Sequence, residues 1–220
     1  PQGHGGKLDF LRQQFIELGF NFLGIQESKT DEFCSCVDNV YRLSAGQHNH
    51  QQGVELWVHL QQPYGYINGK PQYFTRTDFQ IVFKDARTLL VHVDTPYWNG
   101  WLLVAYAPQS GLPLREREAW WQHLINVVHK RKHHEPLIVM MDANAAPGDY
   151  DGETVFVRGL PSSSSTSFLR RFATEHDLFM PSTTQAHQGE RATWTDPSGI
   201  HRYCIDYVLL SYTLQQLEIG

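Results

Sequence analysis

LIVMMDANAAPGD, residues 137–149, joins five consecutive apolar residues to an aspartate, a small residue, an asparagine and a Pro-Gly-Asp turn. The apolar run 137–141 predicts a strand that is buried on both faces, because successive side chains of a strand point to opposite faces and all five are apolar. Such a strand belongs to a sheet that other layers cover. Asp142 and Asn144 therefore stand where the strand ends, and they either cap a loop or take part in chemistry.

The segments around this strand predict a mixture of strands and helices. Strict alternation over residues 54–60 predicts a half-buried strand, with Glu55, Trp57 and His59 on its polar face. Further strands are predicted in FNFLGIQE, which ends at Glu27, and over residues 79–83, 89–93, 101–107 and 203–210. Helical spacing is present at 8–18, 114–130 and around 168–172, and 145–165 is predicted to be a loop. Hairpin strands mixed with crossover helices predict one α/β (α+β) domain over residues 1–220, with more than one sheet layer.

Composition limits the class of protein. The chain has 220 residues and a formal net charge of −5, so a general attraction to polyanions is not expected. Its apolar runs are all shorter than the roughly 18 residues of a membrane span. We therefore expect an intracellular protein that does not enter a membrane.

Cysteines and clustered basic residues have simple interpretations. Cys34, Cys36 and Cys204 form an odd set without the spacing of a zinc knuckle, and we interpret them as reduced thiols. The run HKRKHH, residues 129–134, follows a predicted helix, where solvated cations suit the helix dipole.

Polar residues interrupt the apolar strands at places that suggest a site. Glu27, Tyr106, Asp142, Asn144 and Asp206 each lie at or near a predicted strand end. Each residue alone is explained as well by a local cap or turn. Together they indicate a site, because α/β domains collect functional side chains at the ends of strands.

The type of these residues indicates the chemistry. Asp206 is expected to share an inward strand face with Cys204 and Val208, where a carboxylate is costly unless it is paired or next to a metal. Hard oxygen ligands without a cysteine or histidine framework suit Mg²⁺. Mg²⁺ in turn stabilises charge on phosphoryl oxygens. The pattern therefore predicts metal-assisted phosphoester hydrolysis.

Four motifs in order resemble a known superfamily. LGIQES around Glu27, VAYAP around Tyr106, MDANA around Asp142, and TWTDPSGIHRYCIDYVLLS around Asp206 resemble the endonuclease/exonuclease/phosphatase superfamily. They are most similar to the endonuclease domain of non-LTR retrotransposons, which is abasic-endonuclease-like. The resemblance covers residues 7–212.

The resemblance implies a fold and a role for each residue. It implies a four-layer sandwich of two mixed β-sheets flanked by helices. Glu27 would bind the metal, Mg²⁺ with Mn²⁺ as the alternative, and Tyr106 would contact the scissile phosphate. Asp142 would orient or deprotonate water, Asn144 would bind phosphate, and Asp206 would orient a catalytic histidine. Trp194, in the last motif, would be a packing residue near the site.

The resemblance also implies partners. DNA would be the substrate, a reverse transcriptase domain in the same polyprotein is an expected partner, and the nucleus is an expected location. We expect a monomer.

Two departures from the superfamily pattern lead to further expectations. The chain opens at PQGHGGK, without a first strand that carries asparagine, and ends at LEIG, without a Ser-Asp-His motif. We therefore expect a domain truncated at both ends with impaired activity. The alternatives are a phosphomonoesterase or lipid-phosphate hydrolase of the same superfamily, and a non-catalytic remnant.

Overall fold

The computed structural model describes residues 4–48, 52–148, 162–184 and 186–215. Most of the loop predicted over residues 145–165 lies outside the described residues. The helices are α1 His4–Glu17, α2 Leu114–Val128, α3 Thr166–Glu175 and α4 Tyr212–Gln215. The strands are β1 Phe22–Gln26, β2 Glu32–Val37, β3 Val40–Ala45, β4 Val54–His59, β5 Gly65–Ile67, β6 Lys70–Gln72, β7 Phe79–Asp85, β8 Thr88–Asp94, β9 Asn99–Tyr106, β10 Leu137–Asp142, β11 Leu178–Phe179, β12 Trp194–Thr195, β13 Arg202–Tyr203 and β14 Asp206–Ser211.

Two larger sheets contain most of the strands. The six-stranded sheet has the order β11-β14-β10-β9-β8-β7, and the four-stranded sheet has the order β1-β4-β3-β2. In the larger sheet, β9 and β10 pair in parallel because helix α2 forms the crossover between them, and the other described pairs are antiparallel. The described strands of the smaller sheet are antiparallel throughout, where the sequence predicted a mixed sheet. The α/β fold class is confirmed.

Apolar residues on both faces of the larger sheet pack against the helices on one side and the smaller sheet on the other. On β9, Trp101 and Leu103 pack in a core with residues of α2 and α3. Leu102 and Val104 alternate with them and pack against residues of the smaller sheet. The double burial predicted for residues 137–141 is confirmed in the same way, because β10 lies beside β9 at the centre of the larger sheet.

Helix α1 covers the outer face of the smaller sheet and completes the four layers. Phe15 of α1 packs edge-on against Trp57 of β4, with ring centroids 6.3 Å apart. All six residues of β4 are therefore buried, and the prediction that this strand is half-buried was wrong. Glu55, which is 1% exposed, compensates for its burial by accepting hydrogen bonds from Thr30, Arg42 and Trp57.

The two sheets approach closely at Gly24 of β1. A Cβ atom at Gly24 would lie 2.6 Å from Cβ of Met140 on β10, so any larger residue would push the sheets apart. Next to this contact, the Gln26 side-chain amide donates a hydrogen bond of 3.1 Å to the Met140 carbonyl oxygen. The end of β1 is therefore fixed beside the end of β10.

Other sequence predictions have mixed outcomes. All three cysteines are free, as predicted. The basic run is not wholly solvated: Arg131 is buried and donates hydrogen bonds to the carbonyl oxygens of Glu135 and His176. Among the described residues, no helix is long and apolar enough to cross a membrane.

Candidate active site

Three of the five predicted site residues lie side by side at one end of the larger sheet. The backbone of Asp142, the last residue of β10, pairs with Tyr106 of β9 on one side and with Asp206 of β14 on the other. Paired residues on adjacent strands present their side chains to the same face. Tyr106 belongs to the core between the sheets, so all three side chains are on the face toward the smaller sheet.

Glu27 comes to this group from the smaller sheet. It follows β1 directly and has a left-handed backbone, with φ of 53°, which is uncommon for a residue with a long side chain. The conformation turns its carboxylate toward the larger sheet, where the Tyr106 hydroxyl donates a hydrogen bond of 2.5 Å to Oε1. Backbone strain at a residue with such a contact is typical of functional sites.

Asn144 is fixed beside Asp142 by a tight turn. Its φ is 43°, and its backbone N–H donates a 2.9 Å hydrogen bond to Oδ1 of Asp142. Its side-chain amide donates a 2.8 Å hydrogen bond to the carbonyl oxygen of Ala107. Asp142 therefore caps the turn, as one of the two interpretations of this motif predicted, and its part in chemistry stays a prediction.

Asp206 faces the site in a different way from the prediction. The strand predicted over residues 203–210 is interrupted after Tyr203, and β14 begins only at Asp206. Cys204 consequently packs in the core beneath the helices, while Val208, on the same side as Asp206, is 47% exposed. Asp206 thus does not share an inward apolar face with these two residues. The Thr193 hydroxyl accepts its backbone N–H at 3.1 Å.

Burial shifts the pKa values of the ionisable groups at this end of the sheets. Burial raises the pKa of Asp142 to about 6, and the negative charges of Asp206 and Glu27 act in the same direction, while the N–H of Asn144 lowers it. Burial also raises the pKa of Asp206. Burial and the hydrogen bond to Glu27 raise the pKa of Tyr106 to about 12, so its hydroxyl keeps its proton at neutral pH.

Sequence reasoning missed two side chains at the site. Arg87 lies in the turn between β7 and β8, and its guanidinium carbon is 4.8 Å from the ring centroid of Tyr106. Gln109 donates a 3.3 Å hydrogen bond to the Tyr106 hydroxyl. Arg87 lies between the predicted strands 79–83 and 89–93, where we expected no site residue, and Gln109 directly follows the VAYAP motif.

A cleft of about 600 Å³ opens next to these residues. Asn144, Gln109, Ser162, Ser163 and Ser164 are among the polar residues that line it. One wall is the hairpin of β12 and β13, in which Trp194 and Tyr203 pair across the strands with ring centroids 5.9 Å apart. Trp194 packs against Tyr203 near the site, as predicted, but it is 43% exposed and therefore also forms part of the cleft surface.

The donor set can be tested against the metal that the sequence predicts. In the part of the chain that the structure describes, no group of three or more histidine, cysteine or acidic side chains could hold a metal ion by itself. Mg²⁺ requires only one or two carboxylates, because water supplies its other ligands. Glu27 with neighbouring oxygen donors fits that requirement. Burial raises the pKa values of Asp142 and Asp206, and the charges of neighbouring acids add to the shift of Asp142, so a cation at this place would favour the charged carboxylates.

Comparison with solved structures places this geometry in a known fold. The endonuclease domain of TRAS1, a telomere-specific non-LTR retrotransposon, superposes with a TM-score of 0.61 at 14% identity, covering 94% of this chain and 80% of that one. The AP endonuclease LMAP from Leishmania major has a TM-score of 0.61 at 13% identity, covering 94% of this chain and 74% of its own. An endonuclease/exonuclease/phosphatase family protein from Leptotrichia buccalis C-1013-b has a TM-score of 0.57 at 11% identity, covering 96% and 82%.

The chain has the endonuclease/exonuclease/phosphatase fold. The resemblance predicted from the four motifs is therefore confirmed at the level of structure. No protein-family model matches the sequence, and no curated protein matches it at the significance threshold. At 11–14% identity the shared fold does not assign a role to any residue, so the roles of Glu27, Tyr106, Asp142, Asn144 and Asp206 stay predictions.

Proposed function

We propose that this domain hydrolyses phosphodiester bonds in DNA with the help of Mg²⁺, with Mn²⁺ as the alternative ion. The observation that supports it best is the register of Tyr106, Asp142 and Asp206 on three adjacent strands. Glu27 is bonded to the first of them, and Asn144 to the second. A neutral hydroxyl, an amide and three carboxylates on one small surface suit a phosphate group, a water nucleophile and a cation together.

Asp142 is the residue best suited to activate the water. A general base is most effective when its pKa lies near the working pH, and burial brings the pKa of Asp142 to about 6. The N–H of Asn144 holds Oδ1 at 2.9 Å, which fixes the carboxylate orientation. In this proposal Asp142 orients a water molecule and accepts its proton as the water attacks phosphorus.

Tyr106 and Asn144 are suited to bind the phosphate. The Tyr106 hydroxyl is protonated at neutral pH, and its buried ring fixes its position. It donates its one proton to Glu27 in this structure and would donate it to a phosphate oxygen once a cation occupies that carboxylate. The Asn144 amide uses one N–H on Ala107 and has a second for a phosphate oxygen. Neither group adds negative charge next to the anionic substrate.

Glu27 is the residue that we propose to hold the metal. A divalent ion bound there would neutralise charge that develops on the phosphate oxygens. The Tyr106 hydroxyl donates a hydrogen bond to the Glu27 carboxylate, so the residue proposed to bind the metal and the residue proposed to bind the phosphate are neighbours. The orienting of a histidine by Asp206 stays a prediction.

DNA is the substrate that the comparisons favour. Two of the structural neighbours are described as an endonuclease domain of a retrotransposon and an AP endonuclease. The exposed ring of Trp194 in the cleft offers a surface on which a base can stack. Association with a reverse transcriptase domain stays a prediction, as does a monomeric state.

A substrate panel tests the proposal and its alternative. Purified protein in Mg²⁺ is incubated with supercoiled plasmid, p-nitrophenyl phosphate and phosphoinositide vesicles, and each is repeated with Asp142→Asn. We expect nicking of the plasmid that the variant loses. Hydrolysis of a monoester or lipid phosphate without nicking would replace the DNA proposal with the alternative, which the net charge of −5 favours. No activity on any substrate, with Mg²⁺ bound, would support a non-catalytic domain.

A further inference from the structure

The side chain of Arg87 connects the separate parts of the candidate site. Its Nη1 atom donates hydrogen bonds to the carbonyl oxygens of Tyr106, at 3.1 Å, and Ala107, at 3.3 Å. Its guanidinium also lies over the Tyr106 ring. A planar guanidinium can donate several hydrogen bonds and stack at once, which a lysine ammonium cannot do.

The carbonyl oxygen of Ala107 is shared between two site groups. It accepts Nη1 of Arg87 and the side-chain amide of Asn144, at 2.8 Å. Movement of this peptide would therefore displace the phosphate-binding amide as well as the end of β9. Arg87 also fixes the same strand end through its backbone, since its carbonyl oxygen accepts the N–H of Tyr106 at 2.8 Å.

The turn that carries Arg87 is itself held firmly. The Arg87 N–H donates a 2.8 Å hydrogen bond to Asp85, and the carbonyl oxygen of Ala86 accepts the N–H of Gly53. Because the backbone and the guanidinium of Arg87 both have fixed partners, the guanidinium has a defined position relative to the acids. Its charge lies within electrostatic range of Glu27 and Asp142.

We propose that Arg87 is a positioning residue for the reaction: its guanidinium fixes Tyr106 and, through the Ala107 carbonyl, Asn144, while its charge limits how tightly the acids bind a divalent cation. The inference rests on the proposed function. The geometry separates two effects, the hydrogen-bonding fork and the charge. One substitution removes the fork alone, and its comparison with a second isolates the charge.

Arg87→Lys keeps the charge and removes the fork, and Arg87→Met removes both. Misplacement of a binding group by about 1 Å can reduce a rate by roughly 100-fold, so we expect each variant to lower kcat for plasmid nicking by about 10- to 100-fold, with KM within about threefold. Arg87→Met should also bind Mg²⁺ at least about threefold more tightly in calorimetry without DNA, because one repelling charge is gone. Arg87→Lys should bind Mg²⁺ as the wild type does.

Exposed Arg171, which pairs with Glu175 on α3, provides the matched controls Arg171→Lys and Arg171→Met. Neither control should change kcat or Mg²⁺ affinity. Wild-type kcat in Arg87→Lys would overturn the positioning role, and unchanged Mg²⁺ affinity in folded Arg87→Met would overturn the charge effect. A purely structural anchor would lower the melting temperature without tightening Mg²⁺ binding.

One readout keeps this inference separate from the proposed function. The nitrogen–proton NMR signal of the Asn144 side-chain amide reports its bond to Ala107 without any catalysis. We expect a clear shift in Arg87→Lys and none in Arg171→Lys. If the wild type fails to nick DNA, the proposed function fails, while an unmoved Asn144 signal in Arg87→Lys would overturn the positioning role independently.

Discussion

Replacing Asp142 with asparagine should stabilise the protein in the absence of metal. Burial raises the pKa of this carboxyl group from its ordinary 3.8 to about 6, so the folded state favours the protonated form. Above pH 6 the charged carboxylate therefore destabilises the fold, and the destabilisation disappears as the pH falls below 4. Asparagine has no charge to bury and keeps an oxygen that can accept the N–H of Asn144.

The size of the effect follows from the pKa difference. A change from 3.8 to about 6 corresponds to about 3 kcal/mol, at roughly 1.4 kcal/mol per pKa unit. Water that reaches the half-buried side chain reduces this figure, so we expect Asp142→Asn to increase the free energy of unfolding by about 1 to 3 kcal/mol at pH 8. At pH 4 the two proteins should differ by less than about 0.5 kcal/mol, since both side chains are then largely neutral.

Urea denaturation in EDTA at both pH values measures this difference. Asp94→Asn is the control, because Asp94 is exposed at the end of β8 and its charge costs the fold little. Saturating Mg²⁺ should reduce the advantage of Asp142→Asn over the wild type, since a bound cation relieves the repulsion among the acids. A variant that is less stable than the wild type at pH 8 would refute the inference that Asp142 is a strained, charged group of the site.

Three further predictions concern the fold. Gly24→Ala should lower the free energy of unfolding by about 1 to 3 kcal/mol in urea denaturation, because its Cβ would overlap the opposite sheet, while Gly65→Ala, with open space around it, should change it by less than about 0.5 kcal/mol. Burial lowers the pKa of His176 to about 3, so between pH 7 and pH 5 the unfolded chain gains a proton that the folded chain does not, and stability falls by about 2 kcal/mol. The His176→Leu variant should not lose stability between pH 7 and pH 5, whereas the control His134→Leu, at an exposed position, should lose as much as the wild type. Urea denaturation at both pH values measures this. Glu55→Gln should lower the free energy of unfolding by about 3 kcal/mol, because it leaves buried charged and polar partners unpaired, and an unchanged urea midpoint would contradict that account.

The sequence predicted the central strands because their patterns are simple. β8, β9 and β10 are apolar runs bounded by turn residues, and their observed bounds differ from the predicted ones by one or two residues. The hairpin of β2 and β3 was missed. Its strands contain cysteine, serine and charged residues, so they show no apolar alternation. Ser44 is buried and satisfied by hydrogen bonds, which a hydrophobic pattern cannot predict.

The site was predictable as far as it lies at strand ends. Glu27, Tyr106, Asp142 and Asn144 come together because β1, β9 and β10 end at the same edge of the sandwich. Arg87 could not be found in this way, because it reaches the site from a turn between strands that carry no other site residue.

Glu27 and Asn144 both have left-handed backbones, and residue type alone does not predict this conformation. The inward face of Asp206 was predicted, but its neighbours on that face were not. The strand breaks at residues 204–205, and Cys204 therefore packs in the opposite core.

The most direct test of the central claim is the initial rate at which supercoiled plasmid is nicked in Mg²⁺ by the wild type and by Asp142→Asn. If Asp142 accepts the proton of the attacking water, the wild type nicks the plasmid, EDTA abolishes the reaction, and the variant is slower by about 10²- to 10⁴-fold although it is at least as stable. Equal rates for the two proteins would contradict the assignment of this strand end as a phosphodiester-hydrolysing site.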